Sequence, residues 1–223
     1  MSIADKAAFI RANTRLRPVP HAPEIRLHVA DEITPIWKST EEDLEALGLP
    51  PPFWAFAWAG GQALARYVLD HPATVADKTV IDFASGSGLV AIAAMKAGAR
   101  QVTACEIDPF AHTAIALNAA ANDVAIIIDA VDRLDGPAPH ADVIVAGDIF
   151  YQRDIAGRVL AFLEGAARRG SSVLIGDPGR TYLPREKLTA LAQYAVPVTR
   201  ELEDLEIKHT GVWTLRDAAE PAS

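Results

Sequence analysis

The sequence predicts a doubly wound α/β fold: a seven-strand, mostly parallel sheet with an antiparallel hairpin at its C-terminal end. Three observations point there. From Thr79 onward, short apolar runs of strand length alternate with runs of helix length, the pattern of a parallel sheet covered on both faces. The first of those runs ends in the glycine loop Gly86-Ser87-Gly88, and open sheets of this kind bind ligands beyond the carboxyl ends of their strands. The last two runs follow one another with no crossover helix, which a parallel pair would need.

The elements follow in order. Residues 3–13 read as a short amphipathic helix and Arg17–Pro23 as a proline-rich linker. Ile25, Leu27 and Val29 alternate with Arg26, His28 and Ala30, which predicts a short strand. Glu41–Leu47 reads as a helix ended by Gly48, before Pro50, Pro51 and Pro52 break the chain. A cluster of aromatics, Phe53, Trp54, Phe56 and Trp58, leads through Gly60 and Gly61 into a helix over Gln62–His71. The core then runs as strand Thr79–Phe83, helix Leu89–Ala97, strand Gln101–Cys105, helix Pro109–Asn122 and strand Val124–Ile128. Strand Asp142–Ala146, helix Ile155–Arg168, strand Ser171–Gly176 and a helix over Pro184–Tyr194 come next. Val198–Leu202 and Val212–Leu215 are expected to form the closing hairpin.

Composition narrows the function. The 223 residues are half hydrophobic and carry a formal net charge of -8, a poor match for a nucleic-acid backbone. No run of apolar residues is long enough to span a bilayer, and Met1–Arg17 lacks the apolar region of a secretory signal. The one cysteine, Cys105, excludes an internal disulfide, and the histidines show no metal-ligand spacing. A cytoplasmic monomer with no metal, no membrane and no nucleic-acid partner is the expectation.

Gly86, Gly88 and Ala91 fit a dinucleotide fingerprint, with Glu106 18 residues after Gly88. Asp82 argues against that reading. It stands at the strand end before the glycines, where it would repel a pyrophosphate and attract the sulfonium and ammonium of S-adenosylmethionine. Glu106 then offers two acceptors to the ribose hydroxyls, and the glycines let the backbone approach the ligand. Asp82 could instead cap the following helix. Asp129, at the end of the third core strand, reads equally as an acceptor for an adenine amino group or as a turn residue.

Four segments carry a resemblance. Asp82-Phe83-Ala84-Ser85-Gly86-Ser87-Gly88 and Cys105-Glu106-Ile107-Asp108-Pro109 resemble the first two motifs of seven-strand methyltransferases. Gly147-Asp148-Ile149-Phe150-Tyr151 resembles the Asp-x-x-Tyr/Phe motif of the lysine-methylating branch, and Phe53–Gln62 resembles the segment before the first core strand there. Together they look most like the electron transfer flavoprotein beta-subunit lysine methyltransferases. The resemblance covers roughly residues 25–216, with one departure: Ala84 stands where glycine is usual.

The resemblance implies a Rossmann-like methyltransferase domain over 53–216, after an N-terminal extension (1–52) packed on it and before a disordered tail (217–223). It implies S-adenosylmethionine as cofactor, S-adenosylhomocysteine as product, and lysines of the flavoprotein beta subunit as acceptors. Trp58, Gln62, Asp82, Ala84, Gly86, Gly88, Glu106 and Asp129 would hold the donor. Asp148 and Tyr151 would act at the acceptor, with Trp54 and Phe150 bounding its channel, although Trp54, Phe56 and Phe150 read equally as core. A small-molecule N- or O-methyltransferase, an enzyme acting on another protein such as a ribosomal protein, and a noncatalytic donor-binding regulator share the donor motifs.

Overall fold

The computed structural model describes residues 5–30, 51–137, 139–198 and 206–216. Its central sheet comprises β3 (Thr79–Phe83), β4 (Gln101–Cys105), β5 (Ile127–Asp129), β6 (Val143–Gly147), β7 (Ser172–Asp177), β8 (Leu188–Pro197) and β9 (Ile207–Leu215). The strand order is β5-β4-β3-β6-β7-β9-β8. Strands β3 to β7 pair in parallel, while β9 runs antiparallel to both β7 and β8. The chain thus builds the seven-strand, doubly wound sheet with its antiparallel C-terminal hairpin. Strand order reverses its spread between β3 and β6, and that switch point is where such sheets open a crevice.

Alternate residues of each strand feed opposite layers. Val80, Val143 and Val145 face a core shared with α2 (Ala59–Asp70) and α3 (Leu89–Lys96). Ile81, Phe83, Ile144 and Ala146 face a second core shared with α5 (Arg153–Arg168). In α5 the buried positions Ala156, Val159, Phe162, Leu163 and Ala166 recur at helical spacing, so one stripe covers the sheet. Helix α4 (Pro109–Ala121) starts with proline at its first position, where no N–H is needed, and Asp108 caps it by accepting from the Phe110 N–H at 2.8 Å.

Four sequence expectations need correction. Residues 184–194 form no helix: a single 3-10 turn at Arg185–Lys187 leads into β8, which pairs with β9 along its whole length. Local Ala and Leu content favours a helix, but cross-strand pairing overrides it. The hairpin strand expected at 198–202 therefore lies earlier, and 199–202 fall outside the described residues. Arg17–Pro23 is no linker. It spans the turn of a hairpin of β1 (Arg15–Val19) and β2 (Ala22–Val29). The third core strand is shorter than Val124–Ile128 and ends at Asp129, because only Ile127, Ile128 and Asp129 find partners on β4.

The β1-β2 hairpin and α1 (Lys6–Asn13) are tied to the main body by side-chain amides. Asn118 of α4 and Asn122, which caps its C-terminus, accept from the His28 and Arg26 N–H groups, and Gln62 of α2 accepts from the His21 N–H. The expected helix at 41–47 and the tail at 217–223 lie outside the described residues. Among the described residues, no helix is long and apolar enough to cross a membrane.

Candidate active site

At the carboxyl edge, the chain leaves β3 through Ala84, Gly86 and Gly88, all with left-handed φ (54°, 55° and 81°). Glycine adopts that backbone freely, whereas a residue with a Cβ is strained there by about 1–3 kcal/mol. Ala84 holds that strain. A Cβ on Gly88 would also sit 3.3 Å from the Ile115 side chain, so glycine lets α3 and α4 close together.

Asp82 is buried beneath this loop. One carboxylate oxygen accepts from Ser85 Oγ at 2.6 Å and from the Ala91 N–H at 3.0 Å, so it holds both the loop and the first turn of α3. Burial pushes the acid up to about 7 against the lowering effect of those two bonds, and Glu106 adds repulsion. Glu106 stands at the end of β4. It accepts from the backbone N–H groups of Gly86, Ile107 and Asp108 at 2.8, 2.7 and 3.1 Å, which fixes the carboxylate across the loop.

A cavity of about 710 Å³ opens over these acids. Its size suits a nucleoside-containing ligand. Asp82, Ala84, Gly86 and Glu106 line it from one side, and Trp54, Trp58, Asp148 and Tyr151 line it from the other. Two acids for a cationic ligand with ribose hydroxyls, beside a backbone that glycine leaves uncovered, fit S-adenosylmethionine.

Asp148 directly follows β6 with φ 55°. Its Oδ2 accepts from the Gly61 N–H at 2.9 Å, at the start of α2. Its Oδ1 accepts from Arg180, Nη2 at 2.7 Å and Nε at 3.2 Å. Burial raises the acid to about 6 against the opposing pull of Arg180, with Asp177 adding repulsion. The close fit needs glycine. A Cβ on Gly60 would lie 2.5 Å from Asp148 Oδ2 and 2.3 Å from the Gly176 carbonyl oxygen. Tyr151 remains partly exposed, with its ring 5.7 Å from that of Phe53, and burial raises its phenol so that it keeps its proton.

Four expected site residues lie off the cavity. Gln62 is buried on the far side of α2, donating to Ala57 O and accepting from the His21 N–H, so it anchors the hairpin. Phe150 is fully buried against α5, because the residue after Ile149 turns inward. Asp129 is held by Arg133 at 2.8 Å and the Val131 N–H. Burial works to raise its pKa, but those bonds outweigh it and hold the acid below its ordinary range. Instead, the following loop, Val131–Leu134, reaches the cavity. Gly88 contributes backbone shape without lining the space. Trp54 shows one edge to the cavity but is otherwise core, stacked on Phe110 at 6.4 Å.

Sequence reading missed Arg180. The signal was present, since Asp177-Pro178-Gly179-Arg180 follows β7 and must emerge at the same edge as the glycine loop. Asp177 Oδ1 accepts from the Gly179 and Arg180 N–H groups at 2.6 and 2.7 Å, which shapes the turn that presents Arg180.

Known proteins resemble this chain in sequence and fold. A family model described as ribosomal protein L11 methyltransferase (PrmA) matches residues 62–152. The electron transfer flavoprotein beta subunit lysine methyltransferase of Mus musculus is 36% identical over 213 residues, covering 92% of this chain and 82% of the mouse protein. The Homo sapiens protein of the same name is 34% identical, covering 92% of this chain and 80% of its own. Among solved structures, a ribosomal protein L11 methylase from Lactobacillus delbrueckii subsp. bulgaricus superposes with a TM-score of 0.51 at 22% identity, covering 73% of this chain and 81% of that one.

Proposed function

The chain belongs to the electron transfer flavoprotein beta subunit lysine methyltransferase family, and from that premise we propose that it methylates lysine side chains of that beta subunit, using S-adenosylmethionine. The observation that carries this reading is a single cavity with two acids at its glycine-loop end and an acid among aromatics at the other. S-adenosylmethionine supplies a methyl group on a sulfur that leaves as a neutral thioether, giving S-adenosylhomocysteine.

The chain's own residues do the rest. Asp82 and Glu106 draw the cationic donor and its ribose toward the glycine loop. Asp148 accepts from the acceptor amine and turns its lone pair toward the methyl carbon, a gain in orientation worth several kcal/mol. Trp58, Tyr151 and Phe53 flank the apolar stem of the lysine. All these groups come from one chain, which suits a monomer. The buried, free Cys105 suits a reducing compartment such as the cytoplasm.

The test is to incubate purified electron transfer flavoprotein with the enzyme and S-adenosylmethionine, then map the product by peptide mass spectrometry. Mass gains of one or more methyl groups on beta-subunit lysines are expected. Labelling confined to small amines, nucleic acid or another protein would overturn the substrate assignment.

A further inference from the structure

The acceptor end of the cavity already contains a fixed cation. Arg180 forms its two-nitrogen contact with Asp148, and its guanidinium lies over the Trp58 ring, 5.6 Å from the centroid. Asp148, Arg180 and Trp58 all line the same space. A lone buried carboxylate here would favour a lysine in its ammonium form. An ammonium has no lone pair for methyl transfer, and an ordinary lysine with pKa about 10.4 is almost wholly protonated at neutral pH. Pairing with Arg180 balances the Asp148 charge, and a second cation beside the guanidinium is disfavoured.

We propose that Arg180 is a positioning residue that balances Asp148 and so keeps the acceptor lysine neutral and nucleophilic. This rests on the lysine-methylating reading above. The amine lone pair forms the new N–C bond, the C–S bond pair leaves with sulfur, and the surplus proton on nitrogen passes to water.

Other charged groups surround the pair. Asp177, buried at the end of β7, repels Asp148, and burial holds its own carboxyl above the ordinary range against the backbone N–H groups of Arg180 and Gly179 and the charges of Arg180 and Arg185. Lys208 of β9 lines a smaller recess that Arg180 and Tyr151 share. Glu106 acts on the Tyr151 phenol from the β4 side. The first turn of α2 brings backbone N–H groups and no charged side chain. Among the described residues, Arg180 is thus the cation in hydrogen-bond contact with the acceptor-end acid.

The test measures kcat and KM of the full-length enzyme on the purified flavoprotein beta subunit, from about pH 6.5 to about 9.5. Arg180→Gln keeps donors but removes the charge. Its acidic limb of kcat should move up by about one pH unit, a loss of about tenfold near pH 7, with KM unchanged or lower. Arg180→Lys should restore the limb. Asp148→Asn leaves the guanidinium unbalanced and should move the limb the other way, which keeps the test alive if Arg180→Gln fails to fold. A second readout needs no turnover: the beta subunit carrying ¹³C-dimethyllysine, bound with S-adenosylhomocysteine, should titrate at higher pH in Arg180→Gln than in wild type. Equal loss of kcat at every pH, with limbs and titration unmoved in the variants that fold, would make Arg180 a structural brace and overturn the proposal. A wild-type enzyme that fails to methylate the beta subunit at any pH would overturn the underlying reading, and this inference with it.

Discussion

Burial drives the Asp82 carboxyl up to about 7, so the fold prefers the neutral acid while a bound cation prefers the charged one. The folded-state value lies above the ordinary 3.8, so stability from this preference is complete below about pH 3.8 and is lost as pH rises through about 7. Asp148, raised to about 6, acts in the same direction. At about 1.4 kcal/mol per pH unit, ionising Asp82 opposes folding by a few kcal/mol. Asp82→Asn, a neutral mimic that can still accept from Ser85 and Ala91, should flatten the fall in stability between about pH 4 and 7, measured by urea unfolding. The same variant should bind S-adenosylmethionine about 1–3 kcal/mol more weakly at pH 8 by calorimetry. An unchanged pH slope together with unchanged affinity would remove Asp82 from the donor site. At this scale the sequence was informative about placement wherever position along a strand decides it, as for Asp82, Glu106 and Asp148 at the carboxyl edge. It places Arg180 at the same edge through the end of β7, but not its pairing with a carboxylate 32 residues away in another loop. It also misplaced Gln62, Phe150 and Asp129, because a residue near a motif can point either way and only packing decides.

Among the elements, the contact that shapes the acceptor end is the start of α2 against the ends of β6 and β7. Gly60 and Gly176 touch there: a Cβ on Gly176 would lie 2.1 Å from the Gly60 carbonyl oxygen, and one on Gly60 would strike Asp148. In an ordinary helix Gly→Ala stabilises by up to about 1 kcal/mol. Here the sign should reverse, with Gly60→Ala destabilising by about 1–3 kcal/mol through overpacking and displacing the Asp148 carboxylate. Chemical unfolding and turnover measured together would check it. A stabilised, fully active Gly60→Ala would mean that this contact leaves room for a methyl group and does not set the Asp148 carboxylate. Elements with their own pattern were legible in advance: α5 with its single apolar stripe, and the parallel strands as short apolar runs between helix-length segments. Residues 184–194 were not, since their alanine and leucine content says helix and only the ladder with β9 makes them a strand. The β1-β2 hairpin was hidden for a related reason. Pro18, Pro20 and Pro23 suggest a linker, but Pro18 and Pro23 sit within a two-stranded ribbon, where an edge tolerates a missing N–H.

On the scale of the whole molecule, loops from distant parts of the chain converge on one edge of one sheet. The β3 and β4 loops bring the two donor-side acids, the β6 loop brings Asp148 and Tyr151, and the β7 loop brings Arg180. The N-terminal hairpin, bonded to α2 and α4, braces the helices from which the cavity wall is hung. This convergence follows from strand order, which is why the edge was legible from alternation alone while the inner pairings were not. The central claim is that these loops form the two ends of one methyl-transfer site. A crystal structure with S-adenosylhomocysteine tests it most directly. The claim predicts the ribose at Glu106, the amino acid moiety near Asp82 and the glycine loop, and the sulfur turned toward Asp148 and Tyr151. A nucleoside bound outside the Asp82–Gly88 loop, or a sulfur facing away from Asp148, would contradict it.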